Sequence, residues 1–507
     1  MKLHAVTALL TLAGAHVAHA RHGHARRQAP PPVSSPSAAS SSSLPVSSAT
    51  THSASGAPPA STTAGVPPTT SGPAGPVSAS ASSATASVSV VALPPGVTLP
   101  APQNGVPALQ SINSGMPPMP TLPVKTTYKP GTAAPIPGAP PLPKQFVFKQ
   151  GDWPAQDKVP ETNTPQVQEW MKELQGFNIP NYTPTKDGSC AGDPAAAAEA
   201  AQRGWWTCGG FTRDTDITAC PDKYTWGVSF DDGPGLYTQL VLVFSWTLLN
   251  YLDEKNIHAT FFVVGSRVIE RPDVLIEEYM KGHELSVHTW SHRPLTSLTN
   301  EQIVAELGWT RAAIKAVLGV TPTSMRPPFG DMDDRVRAIS LAMGMTPIIW
   351  TRTPSAGQFD TNDWKVAGGL VSGVDSYLTF QGILGNASLI DTGFIVLQHD
   401  LYAITVDLAL GYTLNAAVTH NPPFTLKPIG QCMKIPATDM YRESTTNQTF
   451  PYHNVTTTID ADGDGKPDSA VGTSAGQNSA SGAKATVALP GAVVLAVMGL
   501  ATAGMFF

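Results

Sequence analysis

Four short stretches carry the residue types that hold a cation and move a proton. Asp231 and Asp232 stand side by side in "WGVSFDDGP", after the alternating apolar residues Val228 and Phe230 and before the turn signal Gly233-Pro234, so both acids sit where a strand ends. Adjacent carboxylates repel, and one is pushed toward protonation or into solvent unless something positive lies nearby. An isolated DDG is otherwise a polar loop tip. "SVHTWSH" places His288 and His292 four apart; on a helical turn both imidazoles fall on one face, a spacing suited to two ligands of one metal ion. The preceding "HELSVHT" reads as a strand, so this pair also lies at a strand end. One Asp and two His with positions left open to water make a catalytic set for zinc and similar divalent ions. Such a cation would hold one carboxylate ionised and leave its neighbour free as a base. Arg326 in "RPPFG" and His399 in "VLQHD" stand at two further strand ends. Taken singly, Arg326 reads as half of a structural ion pair and His399 as a capped strand end.

The elements that must position these residues alternate in type. Strand-like runs "TWGVSF", "ATFFVV", "HELSVHT", "TSMRPPF", "TPIIW" and "FIVLQH" are separated by helix-like stretches such as Asn300 to Leu318 and Asp331 to Met343. This rhythm predicts an α/β fold of parallel strands with helical crossovers, as a barrel or a doubly wound sheet. In either architecture chemistry belongs at the carboxyl ends of the strands.

In this order, "SFDDGP", "HTWSH", "RPPFGD", "FDTNDW" and "VLQHD" resemble the five motifs of the polysaccharide deacetylase family, the NodB-homology domain of carbohydrate esterase family 4, and most closely its fungal chitin deacetylases. The resemblance covers roughly Asp222 to Pro436. It implies a distorted (β/α) barrel with fewer than eight strands. It implies that Asp232, His288 and His292 bind one divalent metal, zinc first and cobalt as a second choice. Asp231 is then the catalytic base, His399 the general acid, Arg326 the group that orients Asp231, and Asp363 the group that tunes His399. Phe329, Trp364 and Leu397 line the substrate groove, with the Phe329 amide donating to the oxyanion. Amide hydrolysis needs a nucleophile, a charge sink and a proton for the departing amine, and this set supplies all three. The expected substrate is chitin or its oligomers, giving chitosan and acetate at a fungal cell wall. A glycan-binding wall protein without turnover, or a deacetylase of another acetylated polysaccharide, are the alternatives. Two departures from the family pattern stand out. Phe329 occupies a place where Tyr is usual, and the run "LVLVFSW" around Leu240 to Leu249 lengthens the helix expected after the first motif.

Composition sets the surroundings of this domain. The chain has 507 residues, of which 48 are Pro, 44 are Gly and only 13% are charged, and its net charge of -6 comes without a basic patch, which argues against a nucleic-acid partner. Residues 1–20 have the basic start, apolar core and Ala18-x-Ala20 ending of a secretory signal peptide. Residues 21–145 are Ser, Thr, Pro and Ala with almost no aromatics; they read as an unstructured stalk. Residues 146–221 form an extension to the catalytic domain at 222–436, residues 437–484 a linker, and residues 485–507 an uncharged tail. Small residues and a polar spacer before that tail match a glycosylphosphatidylinositol signal, with Asn478 or a neighbour as the attachment residue, so a membrane partner through that anchor is expected at the cell surface. "DADGDGKPD" imitates half a calcium loop, but Val471 stands where a bidentate Glu is required, so it reads as an acidic linker. Export turns four cysteines into two disulfides; of three pairings, Cys190 with Cys208 and Cys220 with Cys432 is preferred, the second tying the start of the folded region to its end. Asn181, Asn386, Asn447 and Asn454 head glycosylation sequons.

Overall fold

Every strand-like run becomes a strand, and the strands of the five-stranded sheet are buried on both faces. The computed structural model describes residues 98–116, 126–238 and 247–447, with the backbone of two short strands, Thr458–Ile459 and Asp468–Ser469. The run "TWGVSF" splits into β1 (Thr225–Gly227) and β2 (Ser229–Asp231), followed by β3 (Thr260–Val263), β4 (Glu284–Val287), β5 (Ser324–Met325) and β6 (Thr346–Pro347). A hairpin of β7 (Arg352–Thr353) and β8 (Gly357–Gln358) precedes β9 (Phe394–Ile395) and β10 (Thr425–Lys427). Strands β2-β3-β4-β5-β6 make one parallel sheet in that order, and β10-β1-β9 make a second. Continuous apolar runs such as Phe261, Phe262 and Val263 are what a sheet covered on both faces requires.

Main-chain hydrogen bonds connect the two sheets. Thr351, just past β6, donates to Ile395 at 3.0 Å, Leu397 donates to Phe359 at 2.9 Å, and Asp231 donates to Gln398 at 3.0 Å. The strands therefore pass from β2 to β6 and back through β9 by isolated bridges rather than a continuous ladder, so the ring of this α/β fold is distorted. The crossover helices form where expected. Asn300–Leu318 starts at a Thr299/Gln302 capping box and ends at Gly319, whose φ of 83° suits a residue without Cβ. The second begins at Asp334 rather than Asp331, because the Asp333 side chain caps the Val336 amide.

Both preferred disulfides are present: Cys190–Cys208 and Cys220–Cys432, the latter closing a separation of 212 residues. Three expectations need correction. The stalk does not extend unstructured to residue 145. Leu109, Ile112 and Leu142 are buried in the main core, and the segment is tied down by Asn104 Nδ2 donating to Leu410 O (2.7 Å), Tyr412 Oη to Pro107 O (2.6 Å) and Gly373 N to Ile112 O (3.0 Å). A Pro-rich chain carries few backbone donors, so it lies against a core without a ladder of its own. The domain likewise runs past Pro436, since Tyr441 is 1% exposed and its hydroxyl accepts from Leu285 N of β4 at 3.0 Å. Finally, the inserted run does not lengthen the next helix, which is Leu248–Glu254 and starts at a Thr247 cap; Thr238 O accepts from Leu249 N at 3.2 Å, so the described chain rejoins there. Residues 239–246 themselves, the signal peptide, the stalk up to residue 97, Asn454, the acidic linker, Asn478 and the tail lie outside the described residues. Of the sequons within them, Asn181 is exposed, Asn447 is half-buried, and Asn386 is half-buried with its amide donating to Ala356 O at 3.0 Å. Among the described residues no helix is long and apolar enough to cross a membrane.

Candidate active site

One cavity of about 420 Å³ collects Asp231, Asp232, His288, His292 and His399, with Phe329, Trp364 and Leu397 also on its walls. All lie at or just beyond the carboxyl ends of strands. Asp231 closes β2, and the chain then turns sharply through Asp232, whose φ is 78°. His288 follows β4 directly.

The two imidazoles do not meet by the helical turn that their spacing suggested. Thr289 and His292 both adopt left-handed backbone (φ 64° and 54°), and this kinked loop folds His292 back beside His288 with ring centroids 5.1 Å apart. Non-glycine residues reach that conformation only when surroundings hold them there. Here the holding group is Glu306, fully buried on the helix Asn300–Leu318. Its Oε2 accepts from the amides of Trp290 (2.7 Å) and Ser291 (2.8 Å), and its Oε1 accepts from the Ser291 hydroxyl. Burial raises the Glu306 carboxyl above its ordinary value, although these donors pull it down. Sequence reading missed Glu306, because an acid within an amphipathic helix looks like a solvated charge.

Asp232 Oδ1 lies 3.3 Å from His288 Nε2 and 3.0 Å from His292 Nε2. His288 Nδ1 donates to the Arg326 carbonyl at 2.8 Å, which fixes the tautomer and turns the Nε2 lone pair toward the aspartate. Asp232 Oδ1 is nonetheless a buried atom with no hydrogen-bond partner among the described residues. Two imidazole lone pairs and an orphaned carboxylate oxygen, each within 4.8 Å of the others, fit a small divalent cation better than one another. Burial alone would raise the Asp232 carboxyl, yet the adjoining His292 and His288 hold it well below the usual carboxylate range.

Asp231 is 2% exposed and faces Arg326, which is fully buried. Arg326 Nη1 donates to Asp231 Oδ1 at 2.6 Å and to Ser229 Oγ at 3.0 Å, while the guanidinium lies over the Phe262 ring at 3.9 Å. On the neighbouring strand, His399 forms a parallel bridge with Asp231, and Asp400 N donates to Asp231 O at 3.2 Å. Asp363 receives both His399 Nδ1 (2.7 Å) and the His399 amide (2.8 Å). Burial would lower the His399 imidazole, but the Asp363 carboxylate, helped by Asp232 and Asp231, pushes it up to about 10. The remaining ring nitrogen, Nε2, thus carries a proton at neutral pH. At the rim, Phe329 is 57% and Trp364 42% exposed, whereas Leu397 is buried. Phe329 (φ 59°) sets its ring edge-on to His292 with centroids 4.7 Å apart.

Every expected site residue is therefore brought to this cavity or directly behind it. Sequence reading also missed a wall contributed by Trp206 and Thr207 from the extension and by Arg352, Gln358 and Asp360 at the hairpin. The paired tryptophans in "GWWTCGG" were the one available signal.

A sequence model of the family described as polysaccharide deacetylase matches residues 218–348. The chain is 52% identical over 302 residues to chitin deacetylase 1 of Cryptococcus neoformans var. grubii, covering 59% of this chain and 62% of that relative. It is 32% identical over 283 residues to a chitin deacetylase of Amylomyces rouxii, covering 52% of this chain and 63% of that one. The chain thus spans a little over three fifths of the length of these two relatives. Among solved structures, the chitin deacetylase of Colletotrichum lindemuthianum aligns with a TM-score of 0.36 at 21% identity, covering 47% of this chain and 99% of that one.

Proposed function

We propose that this chain, which carries a polysaccharide deacetylase domain over residues 218–348, removes N-acetyl groups from chitin, yielding glucosamine units and acetate. The observation that carries the reading is the convergence, in one cavity, of the Asp232–His288–His292 donor set with a buried Asp231–Arg326 pair and an Asp363–His399 pair. The names of the relatives support chitin as the polymer.

Asp232 Oδ1, His288 Nε2 and His292 Nε2 would hold a divalent cation, zinc before cobalt given two imidazoles and one carboxylate. When bound, such an ion supplies Lewis acidity to the substrate carbonyl and to water beside it. The rest of the work falls to the chain. Arg326 fixes the Asp231 rotamer by the 2.6 Å bond, which places the carboxylate to take a proton from the attacking water. The Phe329 amide, on its left-handed turn, donates to the developing oxyanion. His399 then delivers its Nε2 proton to the amine as the C–N bond breaks; without it that nitrogen is a very poor leaving group. Exposed Phe329 and Trp364 offer ring faces and edges to the sugar at the rim. The leader at residues 1–20 and the anchor signal before the tail support action at a fungal cell surface and wall, through a glycosylphosphatidylinositol anchor.

The test is acetate release from chitin oligomers by the purified chain, with and without chelator, beside Asp231→Asn. The reading requires release that chelator abolishes, zinc restores and the variant lacks. Release indifferent to chelator, or oligomer binding without release from the zinc-loaded chain, overturns it; the second result is that of a glycan-binding wall protein.

A further inference from the structure

The cavity has one wall that supplies none of the reacting groups. It is made by the hairpin β7–β8 and by the turn at residues 205–207, which lies before the region matched by the family. Arg352, on β7, is exposed and lines the cavity. Its guanidinium sits 5.6 Å from the centre of the Trp206 ring, and its stem runs so close to Gly210 that a Cβ there would come within 3.0 Å of Arg352 Cδ and Nε. Among the described residues Arg352 makes no ion pair, so its donors remain available to a ligand. A guanidinium over an indole at this distance gains a cation–π attraction that favours the observed placement, and it presents several N–H groups in one plane.

The brace behind Arg352 is itself anchored. Trp206 packs edge-on against Trp350 at 4.6 Å and rests on Gly330, where an added Cβ would lie 2.3 Å from the Trp206 ring. Its neighbours are pinned by Asp331, which is fully buried. One carboxylate oxygen accepts from Trp205 Nε1 (2.7 Å) and Thr207 Oγ1 (2.9 Å), and the other accepts from Thr296 N (2.9 Å) and Thr296 Oγ1 (2.7 Å). The Cys190–Cys208 disulfide closes the loop just beyond Thr207.

We infer that Arg352 is a substrate-binding residue that donates hydrogen bonds to hydroxyl or acetamido oxygens of a sugar unit flanking the one undergoing hydrolysis, and that Asp331 positions it through the 205–207 turn. The inference rests on the deacetylase reading above. It assigns polymer length discrimination to a part of the chain outside the motifs.

The experiment measures binding of chitin oligomers from dimer to hexamer by calorimetry to the zinc-loaded chain, and acetate release on the same series. In Arg352→Ala, affinity for the hexamer falls about tenfold, as expected for losing hydrogen bonds from a charged group, while the dimer is little changed. kcat at saturation and zinc affinity stay at the wild-type level, and Arg352→Lys recovers part of the loss. A Trp205→Phe/Thr207→Val double variant, which removes two donors to Asp331 and keeps the bulk, moves hexamer affinity in the same direction by a smaller factor. Wild-type affinity at every length in Arg352→Ala, or a fall in kcat with binding intact, overturns the inference. Calorimetry needs no turnover, so a wild-type chain that binds oligomers and releases no acetate sinks the deacetylase reading alone.

Discussion

The two sides of the cavity use one device with opposite sign. On one side the carboxylate Asp231 is backed by the guanidinium Arg326; on the other the imidazole His399 is backed by the carboxylate Asp363. In the proposed reaction Asp231 accepts a proton and His399 gives one. The sides differ in depth and in what they depend on. The Asp231–Arg326 pair is 2% and 0% exposed, and a guanidinium stays charged at any working pH. The His399 side chain is 12% exposed, and its protonation depends on a carboxylate neighbour. The His399 side is thus the one that carries the pH dependence expected above neutrality.

The comparison can be broken most sharply at the base. Asp231→Asn removes the proton acceptor and leaves the fully buried Arg326 without its carboxylate partner, so acetate release from chitin oligomers is expected to fall by about 10²–10⁴ and the melting temperature to fall as well. Next comes the backing cation. Arg326→Met leaves Asp231 buried without a partner, so a destabilisation of about 3–5 kcal/mol is expected in denaturant titration, together with loss of turnover. Between the two sides sits the loop that carries His288 and His292. Glu306→Leu removes the acceptor of the Trp290 and Ser291 amides, and zinc affinity measured by competition with a chelating dye should weaken about 10- to 100-fold. Ser291→Ala, which removes one donor only, should weaken it less.

The last effect sharpens the contrast. His399 is raised from 6.5 to about 10, so its protonated, active form prevails below that value and is lost as pH rises through it. Asp363→Asn removes the main cause of the rise. The alkaline limb of the pH–rate profile should move down toward 6.5, costing at least about tenfold in rate at pH 8 and much less at pH 5.5. The same sign governs stability. The pair contributes fully below pH 6.5 and loses its contribution as pH rises through about 10, so the gap in melting temperature between wild type and Asp363→Asn should narrow at alkaline pH. A limb that stays in place would place the essential acid elsewhere.

Residues at strand ends were legible in the sequence because strand periodicity and turn signals mark where a side chain meets the cavity. Asp231, Asp232, His288 and His399 were found that way, and both disulfides followed from export and an even cysteine count. The helix over Asn300–Leu318 was legible to the residue, since its cap and its terminal glycine are local signals. What escaped was set by tertiary contact. Glu306 and Asp331 have the composition of surface acids, and only packing reveals that each gathers backbone and side-chain donors inside the protein. The loop at His288–His292 was read as helical because spacing records distance along the chain and not the sign of φ. Residues 98–144 were read as stalk because their few apolar side chains, Leu109, Ile112 and Leu142 among them, are diluted by proline and serine.

The bridge between Asp231 and His399 has one more implication. Because Asp231 and His399 are bridge partners on hydrogen-bonded neighbouring strands, their backbones are spaced by a ruler of about 4.8 Å cut into the sheet itself. No lid has to close to set that gap, and no loop exchange will stretch it. Redesign toward bulkier acyl groups has to relieve crowding at the rim, around Phe329 and Trp364, and leave the ruler alone.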